Sequence, residues 1–425
     1  MKHLLSFFLL LSISLFPNKA QSQTQSPILT LNTKMHTAKI GRISTDATGK
    51  YLLTCSKDKT AKLWDTHSGK LLQTFRPPIG EGNEGMIYAG AISPNAETVA
   101  IGGYSASYPK NKTHDIYVFQ SQTGFLQKRI TGLPNVIFDL EFSPNGKYLV
   151  AALGRNNGIR IYQSSNFELF QKDSDYGERS ENIAFDKKGR LATVSFDGYI
   201  RLYSPNFQLL QKQKTTGGKE AFSLAFSPNG NLLAIGYTDS PKLQVLDAHS
   251  LQVLYEPNIQ PTKSLHQRLN TVVFSKDGSQ LIAGGFYRIS QEGKWWHQIR
   301  IWEQAGKGSY RDYQAAQNTI MDIKVLPNGN IAYGGSQPDW GILDGQTGKQ
   351  LVYKEAELNN YRANNKTHFR LNADGFEIGL KPLYQEALVF DVRNARLLEK
   401  ASTQASFKDQ SPALKVTDWK NEYKP

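Results

Sequence analysis

Eight copies of one short pattern run along this chain of 425 residues. Each copy has an apolar strand, a four-residue turn, a second apolar strand, and a third strand rich in Ile, Val and Tyr. The turns read Asp46-Ala47-Thr48-Gly49, Ser93-Pro94-Asn95-Ala96, Ser143-Pro144-Asn145-Gly146, Asp186-Lys187-Lys188-Gly189, Ser227-Pro228-Asn229-Gly230, Ser275-Lys276-Asp277-Gly278, Leu326-Pro327-Asn328-Gly329 and Asn372-Ala373-Asp374-Gly375. Their fourth residues fall 41 to 51 positions apart. A repeat of that length, with turn residues at a fixed offset, is the signature of four-stranded sheets arranged radially about an axis. Such a scaffold is a binding platform unless a reactive site is grafted on.

Composition agrees with many short strands. The apolar fraction is 39%, aromatics make up 11%, and β-branched residues are common. No long segment has the 3.6-residue period of a helix after the first two dozen residues. Those residues are a separate object. Met1-Lys2-His3 is a short positive region, Leu4 to Phe16 is an apolar run, and Ala20-Gln21-Ser22 follows. Residues 1–22 read as a secretory signal peptide, with cleavage after Ser22 or Ala20. The run is shorter than the roughly 20 residues that span a bilayer, so no stable membrane insertion is expected after cleavage. The expectation is an exported protein, periplasmic or extracellular. One cysteine, Cys55, fits export without a disulfide framework and reads as a buried hydrophobe. The net charge of +13 is dispersed over Lys-rich turns, with no basic helix and no zinc spacing. Nucleic acid is therefore not an expected partner.

The first copy, His36 to Phe75, contains Ser56-Lys57-Asp58-Lys59-Thr60-Ala61-Lys62-Leu63-Trp64-Asp65. It resembles a WD repeat, down to the Trp-Asp pair. That resemblance implies a β-propeller and a structural tetrad of His36, Ser56, Asp58 and Trp64. A His-Asp-Ser set can also be read as a hydrolytic triad, but the spacing here matches the tetrad. Later copies keep the strand pattern and lose the tetrad. Tyr203 takes the Trp position in Ser195-Phe196-Asp197-Gly198-Tyr199-Ile200-Arg201-Leu202-Tyr203. The fold expected is all-β, a propeller of four-stranded antiparallel blades over residues 23–425. Repeats lie near 36–75, 86–130, 136–171, 180–213, 221–257, 267–314, 317–354 and 366–399. Eight repeats favour eight blades; a seven-bladed ring with an eighth copy outside it is the alternative. The strand Pro27–Asn32 is expected to complete the last blade and lock the circle.

Segments such as Arg76-Pro77-Pro78-Ile79-Gly80, Gly132-Leu133-Pro134-Asn135-Val136 and Val416-Thr417-Asp418-Trp419 narrow the resemblance. They are similar to the propeller region of exported bacterial WD-repeat proteins that also carry a caspase-like peptidase domain. The likeness covers the propeller only. A peptidase pair needs a Cys and a His in an α/β domain, and none is read here, so no peptidase activity carries over. The chain then reads as the propeller portion of a longer protein.

Two connections between second and third strands are long: Tyr104 to His114 and Phe286 to His297. Both carry aromatics beside cations. Tyr104, Tyr108, Tyr287, Arg288, Trp295 and Trp296 are therefore candidate partner-binding residues, since Tyr, Trp and Arg dominate interface hot spots. The alternative is that these rings fold onto their own blades. No catalytic residue, metal site or cofactor is expected, because no His pair has metal-ligand spacing and no acidic pair stands out. The leading expectation is a non-enzymatic scaffold for protein–protein interaction. The alternatives are a propeller enzyme with acid–base or metal residues at the central channel, and a glycan-binding propeller using Trp295 and Trp296.

Overall fold

The computed structural model describes residues 34–80, 82–105, 113–260, 267–291 and 293–356, and four strands between His368 and Ala401. The leader and Pro27–Asn32 lie outside the described residues. Each repeat forms one antiparallel sheet whose strands follow chain order, with the sixth sheet carrying an extra short strand. The innermost strands of seven sheets are Ile40–Thr45, Met86–Ile92, Ile137–Phe142, Ser180–Phe185, Ala221–Phe226, Arg268–Phe274 and Ile320–Val325. Each packs beside the next, and the seventh packs on the first.

The ring has seven blades, and the expectation of eight is corrected. Ile40, Ile43, Leu52 and Trp64 of the first blade share one buried cluster with Leu326, Ala332, Trp340 and Ile342 of the seventh. The Trp64 and Trp340 rings meet at 5.1 Å. The Ile43 amide donates to Asp322 Oδ2 at 3.0 Å. Gly334 makes room for this junction: a Cβ there would lie 2.9 Å from the methyl groups of Ile40 and Ile43. Turn spacing counts repeats, but packing between first and last blades decides closure. The eighth repeat forms a four-stranded sheet of its own, His368–Leu371, Glu377–Lys381, Ala387–Asp391 and Arg396–Ala401. Among the described residues, the seventh blade draws four strands from residues 320–354.

Two devices repeat around the ring. Within each blade the turn side chain binds its own backbone. Ser143 Oγ, for example, donates to Asn145 Oδ1 at 2.7 Å and accepts the Tyr148 amide at 3.0 Å. That closes the hairpin with a polar side chain and a positive-φ glycine, Gly146 at +69°. At four blade junctions, the residue four before the turn accepts the amide of the next inner strand. Asp139 holds Ile183 (2.9 Å), Asn182 holds Leu224 (3.0 Å), Ser223 holds Val272 (3.0 Å) and Asp322 holds Ile43. These bonds satisfy inner-edge amides that no neighbouring strand can reach.

Candidate interaction surface on the upper face

In the first blade Ile40 pairs with Ser56. The connection from second to third strand therefore lies at the end of the ring where the inner strands begin, here the upper face. The same holds for Ser180 with Ser195 and Arg268 with Phe286. The sixth-blade connection thus belongs to this face, as do the described ends of the second-blade connection, where Met86 pairs with Tyr104.

The sixth-blade connection is a β-hairpin extension, not an irregular loop. Arg288–Gln291 pairs with the start of Lys294–Trp302, Ile289 opposite Trp296 and Ser290 opposite Trp295. Alternation then sends the two indoles to opposite faces of the ribbon. Trp295 is 53% exposed, with the exposed Arg288 guanidinium 4.6 Å from its ring centre. Trp296 is half-buried, edge-on to Tyr353 of the seventh blade at 6.4 Å. Tyr287 is buried. Its hydroxyl donates to Asp312 at 2.9 Å and accepts Arg300 at 2.8 Å. It serves the blade interior and does not present itself to a partner. In the second blade Tyr104 is half-buried against His114, with ring centres 5.2 Å apart. Tyr108 lies outside the described residues. Among the six candidates, the structure joins Arg288 and Trp295 in one exposed unit.

The polar network of the first blade runs through Thr54, not Ser56. His36 Nδ1 lies 2.9 Å from Asp58 Oδ2, and Nε2 lies 2.7 Å from Thr54 Oγ1, which also accepts the Trp64 indole N–H at 2.8 Å. Register explains the difference. Thr54 pairs with Lys62 and Leu52 with Trp64, so Thr54 and Trp64 share a blade face one pleat apart. Ser56 ends the strand and caps the turn, donating to the Ala38 carbonyl at 2.7 Å and accepting the Asp58 amide at 3.1 Å. Burial would raise the Asp58 carboxyl, but the His36 imidazole, Thr60 and the Thr37 amide outweigh it and hold it at about 2. The fourth blade builds the same device from other residues. Tyr176 takes the place of the imidazole, 2.7 Å from Thr193 Oγ1 and 3.0 Å from the Tyr203 hydroxyl. Arg201 pairs with Asp197 at 2.7 Å. Each member of these sets is hydrogen-bonded within its own blade.

Below the upper face, charged groups converge on the ring axis. Arg42 stands at the position where the third and seventh blades have Asp139 and Asp322, and it cannot accept a neighbour's amide. It reaches across the ring instead, 2.8 Å from the Glu181 carbonyl, 3.4 Å from Glu181 Oε1 and 3.7 Å from Asp139 Oδ1. Its guanidinium also lies 5.0 Å from the Phe222 ring centre. Glu181 is shared with Arg179 at 2.9 Å. Burial raises the Glu141 carboxyl to about 7, with Lys324 opposing and Asp139 and Asp322 reinforcing the rise. Sequence reasoning missed Arg42, although aligning the repeats four residues before each turn would have singled it out. Acidic residues do converge at the channel, but Asp139 and Asp322 hold blade-joining amides and Glu181 is held by two arginines. Among the described residues, no group of three or more His, Cys, Asp and Glu is placed to hold a metal ion.

Above Arg42, a strip of cations and rings crosses four blades. Lys57 lies 5.2 Å from the Tyr88 ring centre, Tyr88 is 6.0 Å from Phe138, and Arg179 sits 5.0 Å from Phe138 and 3.9 Å from Phe196. Lys39 is beside Lys57, whose amide donates to the Lys39 carbonyl at 3.0 Å.

Comparison with known proteins agrees with this architecture. The profile of the family described as WD domain, G-beta repeat matches residues 25–65 and 126–163. The second match spans the outer strand of the second blade and three strands of the third, so a repeat in sequence straddles two blades in space. Eukaryotic translation initiation factor 3 subunit I is similar over part of the chain. The Bos taurus protein is 22% identical over 261 residues, covering 59% of this chain and 78% of its own length. The Homo sapiens protein gives the same identity over the same shares. The Culex quinquefasciatus protein is 30% identical over 143 residues, 32% of this chain and 41% of its own.

Proposed function

From the premise that this chain carries WD40 repeats on a seven-bladed propeller, we propose that it is a non-enzymatic scaffold that docks a protein partner on its upper face. The observation that carries this reading is the Trp295–Arg288 unit. An indole more than half exposed, stiffened by a two-stranded ribbon and backed by a guanidinium, has the composition of an interface hot spot. The ribbon is anchored by Trp296 on Tyr353, so the exposed indole is held out without a large ordering cost on binding. The carboxylates at the axis have structural work in this reading, joining blades and neutralising arginines.

The relatives' printed names concern translation initiation. That role is not carried to this chain, since a likeness of 22% over 261 residues speaks for a shared scaffold. The apolar run from Leu4 to Phe16 supports export, and a partner in the periplasm or outside the cell. Affinity purification from envelope extract tests the reading. Wild type should retain a defined partner that Trp295→Ala loses at an unchanged melting temperature. Identical partner sets for both proteins would defeat it.

A further inference from the structure

We propose that the mouth of the channel, between Lys39, Lys57 and Arg179, is a second binding site, and that it takes a carboxylate side chain of an acidic peptide segment. It lies on the first four blades, apart from the sixth-blade hairpin, and stands whether or not that hairpin docks a partner.

Charge is the first argument. Three cations, Lys39, Arg42 and Arg179, gather about the carboxylate of Glu181, and Lys57 adjoins Lys39, with Asp139 and Asp322 acting on Arg42 deeper in the channel. Burial lowers the Lys39 ammonium to about 8, and Lys57 and Arg42 push it further the same way, against a smaller pull from Glu181. The mouth therefore holds more positive charge than its own acids offset, and an incoming anion would relieve that repulsion. Lys57 is exposed and Lys39 and Arg179 are half-buried, so both water and a ligand can reach them.

The rings decide which anion. Nucleic-acid bases need free aromatic faces to stack on. Here Lys57 covers Tyr88, and Arg179 covers Phe196 and approaches Phe138. What remains is a half-buried apolar wall of Tyr88, Phe138 and Phe196 beside the cations. That wall suits the methylene stem of a glutamate whose carboxylate turns toward the cations.

The test is fluorescence anisotropy at low salt with a labelled hexaglutamate peptide, its hexaglutamine counterpart, and a labelled single-stranded DNA oligonucleotide. Hexaglutamate should bind and hexaglutamine should not. Lys57→Glu should weaken binding by about tenfold or more. Lys39→Gln should weaken it in the same direction, and Trp295→Ala should leave it unchanged. Lys128→Glu, the same charge reversal on an exposed outer strand, should also leave it unchanged. The proposal is overturned if Lys57→Glu and Lys128→Glu weaken binding equally, which would mean net charge alone. It is also overturned if hexaglutamate does not bind, or if the oligonucleotide binds more tightly and is the ligand lost in Lys57→Glu.

Discussion

The guanidinium of Arg42 in the first blade donates to the carbonyl of Glu181 in the fourth, 2.8 Å away across the axis of the ring. One side chain thus ties together blades that share no strand and no packed face. Both ends are buried, and Asp139 stands within reach of the same cation.

Removing that cation leaves the buried Asp139 without its guanidinium and Glu181 with Arg179 alone. Arg42→Ala should destabilise the fold by about 3–5 kcal/mol, the usual result of breaking a buried pair from one side. Urea denaturation measures it. A loss below about 1 kcal/mol would show that water or Lys324 replaces Arg42 without difficulty.

Thr54 and Ser56 separate two roles that look alike in sequence. Thr54→Val keeps the shape but leaves the His36 Nε2 and Trp64 indole without their shared partner. It should cost about 1–3 kcal/mol, more than Ser56→Ala, which loses only a turn cap. Equal melting temperatures for the two variants would contradict the network as described.

Asp58 gives the fold an acid limb. Its carboxyl is held at about 2 in the folded chain against an ordinary 3.8. The stability it contributes is complete above pH 4 and is lost as pH falls toward 2, about 2 kcal/mol in all. Asp58→Asn should be less stable than wild type at pH 7, and the two should converge near pH 2. A constant difference across that range would place the pH dependence elsewhere.

Much of this was legible in the sequence, and the reasons differ by residue. Asp46, Ser143 and Asn145 announce the blades because hairpin turns have strict side-chain chemistry. The number of blades in the ring was not legible. It depends on Ile40 and Ile43 fitting against Ala332 and Trp340, a contact between residues nearly 300 positions apart. Trp295 and Trp296 were read as equivalent, yet the register of the hairpin puts them on opposite faces. Tyr287 is a candidate partner-binding ring by its place in a long connection, with burial in its own blade as the alternative. Its hydroxyl finds Asp312 and Arg300 inside the blade, and a buried bidentate pair is a stronger claim on a phenol than solvent.

Asp339 carries the opposite pH dependence to Asp58. Burial raises its carboxyl to about 7, despite the Gln317 amide and the Tyr353 hydroxyl, which favour the ion. The folded chain keeps this proton up to about pH 7, whereas the unfolded chain releases it near 3.8. Its ionisation therefore opposes folding, and stability falls as pH rises between those values. Asp339→Asn should melt higher than wild type at pH 8 and at the same temperature near pH 3.5. Equal melting points at pH 8 would contradict the buried, neutral carboxyl.

The central claim is that the sixth-blade hairpin docks a protein partner. Incorporation of a photo-cross-linking amino acid at position 295 tests it most directly, with Leu351, an exposed apolar residue on an outer strand, as the control position. After irradiation in the native cell, position 295 should give one discrete protein adduct that Arg288→Glu diminishes, and position 351 should not give it. No adduct at 295, or the same adduct at both positions, would contradict the account.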